Sequence, residues 1–219
     1  MSLNLPKPSI VTPTLEDFIQ AERNLAGISK LTPLLSSSYL SEVTGGQVFL
    51  KAENMQRTGA YKVRGGYNVL SKLSSAERKK GVVAASAGNH AQGVALASGK
   101  LGIKATIFMP IGASLPKVQA TRGYGAEVVL VGETFAECLK AAQEFAIKKG
   151  AMFIPPFDHI DVVIGQGTVG LEIIEQLPEV DNVVVALGGG GLGAGVAAYV
   201  KLYNQANKKK IKVYGVQSE

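Results

Sequence analysis

Short apolar, β-branched runs alternate along this chain with longer stretches whose apolar positions recur at helical spacing. The runs are Gln47–Lys51, Val82–Ala85, Ala105–Met109, Glu127–Val131, Val183–Leu187 and Ile211–Val216. Several of the stretches between them carry start and stop signals. Ser74 followed by Glu77 forms a capping box, and Gly81 closes the same helix behind Lys79 and Lys80. Thr134 to Lys149 keeps helical spacing and stops at Gly150. Strands that are apolar almost throughout, separated by helices, predict an α/β fold with a parallel sheet covered on both faces. In such folds ligands collect at the carboxyl ends of the strands.

Two loops divide the pattern, Asn54–Gly59 and Pro155–His159. They predict a small domain, 54–154, inserted into a larger discontinuous one made of 1–53 plus 155–219. The last run, Ile211–Val216, has the composition of a central strand, yet the sequence stops three residues later with nothing to cover it. The expectation is a C-terminally truncated chain with an incomplete large domain.

Composition narrows the picture. Hydrophobic residues make up 46% of the 219, which suits a globular core. Glycines interrupt the longest apolar stretch, Val183–Val200, so no membrane span is expected. There is no basic, then apolar, signal peptide at the start, and a single cysteine, Cys138, rules out an internal disulfide framework. Cytoplasm is the expected location. The net charge of +6 comes from basic clusters such as Lys208–Lys210, most of them at helix ends and without interleaved aromatic residues, which disfavours a nucleic-acid partner.

Three constellations carry chemistry. In the first, the run Asp181–Leu187 breaks into Gly188, Gly189, Gly190 and Gly191, then into an alanine-rich helical pattern. Backbone N–H groups at such a turn, with the helix dipole behind them, suit a phosphate. Gly188, Gly190 and Gly193 also satisfy the G-x-G-x-x-G spacing, with Glu219 ending a later strand, so an NAD-dependent oxidoreductase is a competing reading. In the second, Lys62 follows Gly59 at the start of a helical pattern between Arg57 and Arg64. Neighbouring cations and a helix N-terminus should favour its free amine, the form that condenses with carbonyl groups. In the third, a strand runs into Ser86-Ala-Gly-Asn-His90, whose amides and short polar side chains suit a second anion. Asn89 is the better candidate for ligand contact, whereas His90 at a helix start is more often a cap or a packed ring.

Together these segments resemble a fold-type II pyridoxal-phosphate enzyme of the catabolic threonine dehydratase (threonine ammonia-lyase) family. The resemblance runs from about Leu15 onward and is carried by Phe49-Leu-Lys-Ala-Glu-Asn-Met-Gln-Arg-Thr-Gly59, Ser86-Ala-Gly-Asn-His-Ala-Gln-Gly-Val94, Gly165-Gln-Gly-Thr-Val-Gly-Leu-Glu-Ile173 and the four glycines. It implies two three-layer αβα domains of the tryptophan synthase β type. Lys62 is implied as the lysine that carries pyridoxal 5'-phosphate and Tyr61 as the aromatic packed on its ring. Gly188, Gly189, Gly190, Gly191 and Leu192 are implied as its phosphate loop, and Asn89 as the partner of its phenolic oxygen. Ser86, Ala87, Gly88, Asn89 and His90 correspond to the turn that holds the substrate carboxylate.

The implied reaction is elimination from L-threonine, giving 2-oxobutanoate and ammonia, with L-serine giving pyruvate as a secondary activity. Lys62 serves as the base at the α-carbon. The related serine racemases carry a serine with an acid/base role where this chain has Ala87, so elimination is expected to dominate. A homo-oligomer, dimer or tetramer, and an AMP effector are also implied. The chain departs from the family in three places. Ala60-Tyr61 replaces Ser-Phe before the lysine, and Gln217 stands where metal-dependent relatives place a glutamate, so no metal is expected. The family also continues past Glu219, where it supplies the partner of the pyridine nitrogen.

Overall fold

The computed structural model describes residues 12–218. Helix α1 (Leu15–Leu25) opens behind Thr14, whose hydroxyl accepts from the Asp17 N–H while Asp17 accepts from the Thr14 N–H. Strands β1 (Leu34–Ser36) and β2 (Phe49–Lys51) flank α2 (Ser38–Thr44) and pair antiparallel, Leu34 opposite Lys51. Two single 3-10 turns, Glu53–Met55 and Arg57–Gly59, lead into α3 (Lys62–Ser71). There follow α4 (Ser75–Lys80), β3 (Val82–Ala85), α5 (Asn89–Leu101), β4 (Ala105–Met109), α6 (Leu115–Gly123), β5 (Glu127–Leu130), α7 (Phe135–Lys149) and β6 (Met152–Phe153). The described chain closes with α8 (Ile160–Gln176), β7 (Asn182–Ala186), α9 (Gly191–Asn207) and β8 (Lys212–Val216).

The expected parallel sheet is present in the order β5-β4-β3-β6. Because side chains alternate across a strand, each face finds its own helices. Val82, Ala84, Ile107 and Met109 pack with Val94 of α5 and Val118 of α6. Val83, Ala85 and Phe108 pack on the other side with Cys138, Ala142 and Ala146 of α7. The capping box at Ser74 and Glu77 forms, as does that at Thr134 and Glu137, and Gly81 and Gly150 take positive φ at the helix ends.

β7 and β8 make a second parallel pair whose two faces differ. Val183 and Val185 are buried under α8 and α9, but Val184 on the opposite face is 68% exposed and Tyr214 and Val216 are open beside it. Val184 and Ala186 of that face border an open cleft whose other wall includes Phe49 and Leu50 of β2.

Glycines bring the helices together more closely than larger residues allow. α3 is gripped from two sides: a Cβ on Gly93 of α5 would lie 2.9 Å from the Lys62 carbonyl, and one on Gly165 of α8 would lie 2.7 Å from the Arg64 carbonyl oxygen. α8 and α9 cross where Gly167 meets Gly195, and a Cβ on Gly195 would fall onto the Val163 carbonyl oxygen and within 2.7 Å of the Gly167 nitrogen. The glycines of the Gly165–Gly170 stretch are therefore packing residues. Gly195→Ala should lower stability by at least about 2 kcal/mol, because backbone rather than a flexible side chain must yield. A shift of the urea midpoint, with the slope unchanged, measures the loss; a midpoint equal to that of the parent would contradict this packing.

Candidate active site

All three constellations converge on one short segment, at the loop that the sequence pattern marks only as a domain divider. Residues 154–157 leave the carboxyl end of β6. The Lys62 ammonium donates to the Pro156 carbonyl at 2.8 Å, and His90 Nε2 lies 3.0 Å from the Ile154 carbonyl. The Phe157 ring packs under the glycine loop, so that a Cβ on Gly189 would lie 2.6 Å from Phe157 Cε1 and one on Gly191 would lie 3.0 Å from Phe157 Cβ. Ile154, Pro156 and Phe157 are the residues sequence reasoning missed. Their only signal was the Pro155-Pro156 break.

Lys62 is the first residue of α3, half-buried, with its ammonium 5.4 Å from the centre of the Tyr61 ring. Burial lowers its pKa. The direction matches the sequence expectation, but the cause does not. The flanking arginines point elsewhere: Arg57 reaches the Gly27 carbonyl, and Arg64 is fully buried in an ion cluster. There Arg64 pairs with Glu53 at 2.8 Å and with Glu172 at 2.6 Å, and Lys51 adds a 2.6 Å bond to Glu172. Tyr61 itself is half-buried at the N-cap, and burial pushes its hydroxyl pKa up.

The turn after β3 presents Ala87 and Asn89 to solvent. The Gly88 N–H donates to the Ser86 hydroxyl at 3.1 Å. The N–H groups of Ala87, Asn89 and His90 find no acceptor among the described residues, and no side chain caps α5. The His90 ring turns away from the turn and is 4% exposed. A carbonyl can only accept, so the neutral ring must carry its proton on Nε2 to bond Ile154. Burial, with a smaller contribution from the Lys62 charge, pulls the His90 pKa down to about 4. As a side chain, His90 is therefore a packed ring and not a base; only its N–H remains at the turn.

At the carboxyl end of β7, the N–H groups from Gly188 through Gly193 find no acceptor among the described residues, and no side chain caps α9. Gly190 turns the chain with φ +86°, a conformation that side chains rarely adopt. Leu192 is half-buried against the core shared by α1, α8 and α9. Glu219, which the dinucleotide reading requires, lies outside the described residues.

The profile of the family described as "Pyridoxal-phosphate dependent enzyme" matches residues 27–219, and the chain belongs to that family. Among characterised relatives, an L-threonine ammonia-lyase of Thermotoga maritima is 53% identical over 206 residues, spanning 94% of this chain and 50% of the relative. A catabolic L-threonine dehydratase of Escherichia coli is 51% identical over 205 residues, spanning 94% of this chain and 61% of the relative. The chain thus spans between half and about three fifths of the length of these relatives. Among solved structures, threonine deaminase isoform 2 from Solanum lycopersicum superposes with a TM-score of 0.83 at 40% identity, over 95% of this chain and 62% of that one. A serine racemase from Dictyostelium discoideum superposes with a TM-score of 0.86 at 33% identity, over 94% of this chain and 66% of that one. The fold is that of the fold-type II pyridoxal-phosphate enzymes.

The residues present fit this cofactor. Successive unengaged N–H groups at an uncapped helix start suit a phosphate, and a half-buried lysine with a lowered pKa suits an aldehyde.

The buried His90 ring also makes a prediction about pH. Its folded pKa of about 4 lies below the ordinary 6.5, so the unfolded chain binds this proton more readily. Its contribution is complete above pH 6.5 and is lost as pH falls toward 4, by on the order of 3 kcal/mol. Urea unfolding between those limits should show the slope in the parent, and His90→Gln should remove most of it; equal slopes in both would refute the assignment.

Proposed function

We propose that the protein catalyses pyridoxal-phosphate-dependent elimination from small β-hydroxy amino acids, converting L-threonine to 2-oxobutanoate and ammonia, with L-serine to pyruvate as a secondary activity. The observation that carries the reading is the meeting of Lys62, the Ser86–His90 turn and the Gly188–Gly191 loop at residues 154–157. Relatives named threonine ammonia-lyase and threonine dehydratase, about half identical to this chain, support it.

The cofactor, when bound, supplies an aldehyde that condenses with amines and a ring that takes up the electrons of a developing carbanion. In this reading Gly188–Gly191 and Leu192 hold its phosphate through their amides, Asn89 bonds its phenolic oxygen and Tyr61 packs beside its ring. Lys62 carries it. Once released by the substrate amine, Lys62 takes the α-proton; burial favours the neutral amine that this step needs. The free amides of Ala87, Asn89 and His90 hold the substrate carboxylate. Ala87 presents a methyl group, which carries no proton to transfer, and this favours elimination over the racemisation named for the Dictyostelium structure.

We divide the chain at the same loops as before, with 54–154 as the smaller domain; the placement of all of β3 to β6 within 82–153 supports this. A cytoplasmic homo-oligomer, dimer or tetramer, with AMP as effector, completes the proposal by resemblance to the catabolic branch. Among the described residues no helix is long and apolar enough to cross a membrane.

Borohydride reduction of the full-length protein should fix the cofactor on the peptide containing Lys62, and Lys62→Ala should abolish both the label and the visible absorbance. Label on another lysine would overturn the Lys62 assignment. Absence of 2-oxobutanoate from L-threonine would overturn the activity, and D-serine formed from L-serine as fast as pyruvate would favour the racemase reading.

A further inference from the structure

Lys117 has no part in the site as described so far. It sits in the first turn of α6, exposed, and its side chain runs alongside Gly88. A Cβ placed on Gly88 would lie 3.4 Å from Lys117 Nζ, 3.9 Å from its Cδ and 4.0 Å from its Cε. The ammonium thus lies within van der Waals reach of the turn's backbone. Among the described residues no carboxylate pairs with Lys117, and no acceptor takes a hydrogen bond from its Nζ. Other exposed lysines also lack a carboxylate partner; what sets Lys117 apart is that its ammonium lies beside a turn of unengaged amides.

Amides at a turn give a carboxylate directional hydrogen bonds but no net countercharge. Lys117 supplies that charge. We propose that Lys117 is a substrate-binding residue whose ammonium pairs with the α-carboxylate of an amino acid held at the Ser86–His90 turn. The proposal rests on the elimination reading above and deepens it, because it makes a free α-carboxylate the feature by which the site distinguishes amino acids from amines and carboxamides. Lys117 takes no part in proton transfer, so its contribution falls on binding and not on the chemical step.

The test uses the full-length protein carrying its cofactor. Lys117→Gln should raise KM for L-threonine about fivefold or more with kcat nearly unchanged, and Lys117→Arg, which keeps the charge, should restore most of the loss. Binding of L-alanine, which lacks a leaving group, is followed by the visible spectrum against L-alaninamide, which lacks the carboxylate. The preference for L-alanine should shrink in Lys117→Gln. In the parent protein, KM for L-threonine should rise with ionic strength, a trend that the Gln variant loses. If the cofactor binds Lys62 and L-threonine is turned over, but Lys117→Gln leaves KM, the L-alanine preference and the salt trend as they were, the Lys117 assignment is wrong and the elimination reading stands. Failure of Lys62 to take the cofactor would remove both together.

Discussion

Arg64 lies wholly inside the protein, and its charge is neutralised by Glu53 and Glu172, with Lys51 completing the cluster. Charges so deeply withdrawn from water persist only when fully paired; losing one partner of such a pair costs roughly 3–5 kcal/mol. The geometry is cooperative. Lys51 also donates to the Thr32 carbonyl and to Gln176, and Arg64 to the Thr168 hydroxyl. One cluster therefore ties the segment before β1, the end of β2, the 3-10 turn at Glu53, the middle of α8 and the first turn of α3. Because Arg64 is two residues beyond Lys62, whatever fixes the guanidinium also fixes the helix start from which the reactive lysine projects.

Close glycine contacts complete that placement. α3 lies between Gly93 of α5 and Gly165 of α8, and the Gly93 contact falls on the Lys62 carbonyl itself. Ionic pairing sets the direction of α3, and backbone-to-backbone packing sets its depth. The half-buried position that lowers the Lys62 pKa follows from these two constraints. The turn at the end of β3 leads into α5, and that at the end of β7 into α9, which packs on α8, so both turns are anchored by packed helices.

Much of this was legible from residue order. β3 and β4 fall where the apolar runs place them, and the predicted capping box at Ser74 and Glu77 forms. What escaped notice was of a different kind. β1 has three residues beside Thr32-Pro33, and β6 has two before a proline pair, too short for any periodicity to register. Arg64 looked like a cation repelling Lys62; its carboxylate partners come from Glu53, eleven residues before it, and Glu172, over a hundred residues away, and local sequence does not reveal the second. For the site, the segments were visible while their meeting point at 154–157 was not, since that contact is made by carbonyl groups and one ring.

The four consecutive glycines are not equivalent. Gly189 is held small by the Phe157 ring, Gly191 by the Cβ and backbone of Phe157, and Gly190 by its backbone angle, whereas a Cβ on Gly188 would meet nothing within 4 Å. The run is thus three steric requirements and one vacancy. Sequence drift in this loop has an easy entry at Gly188; a side chain at Gly189 becomes admissible only after residue 157 shrinks, and one at Gly191 still meets the backbone of residue 157. Phe157 and Gly189 should accordingly change together or not at all, so that a distant aromatic, and not the loop, sets how far the loop can diverge there.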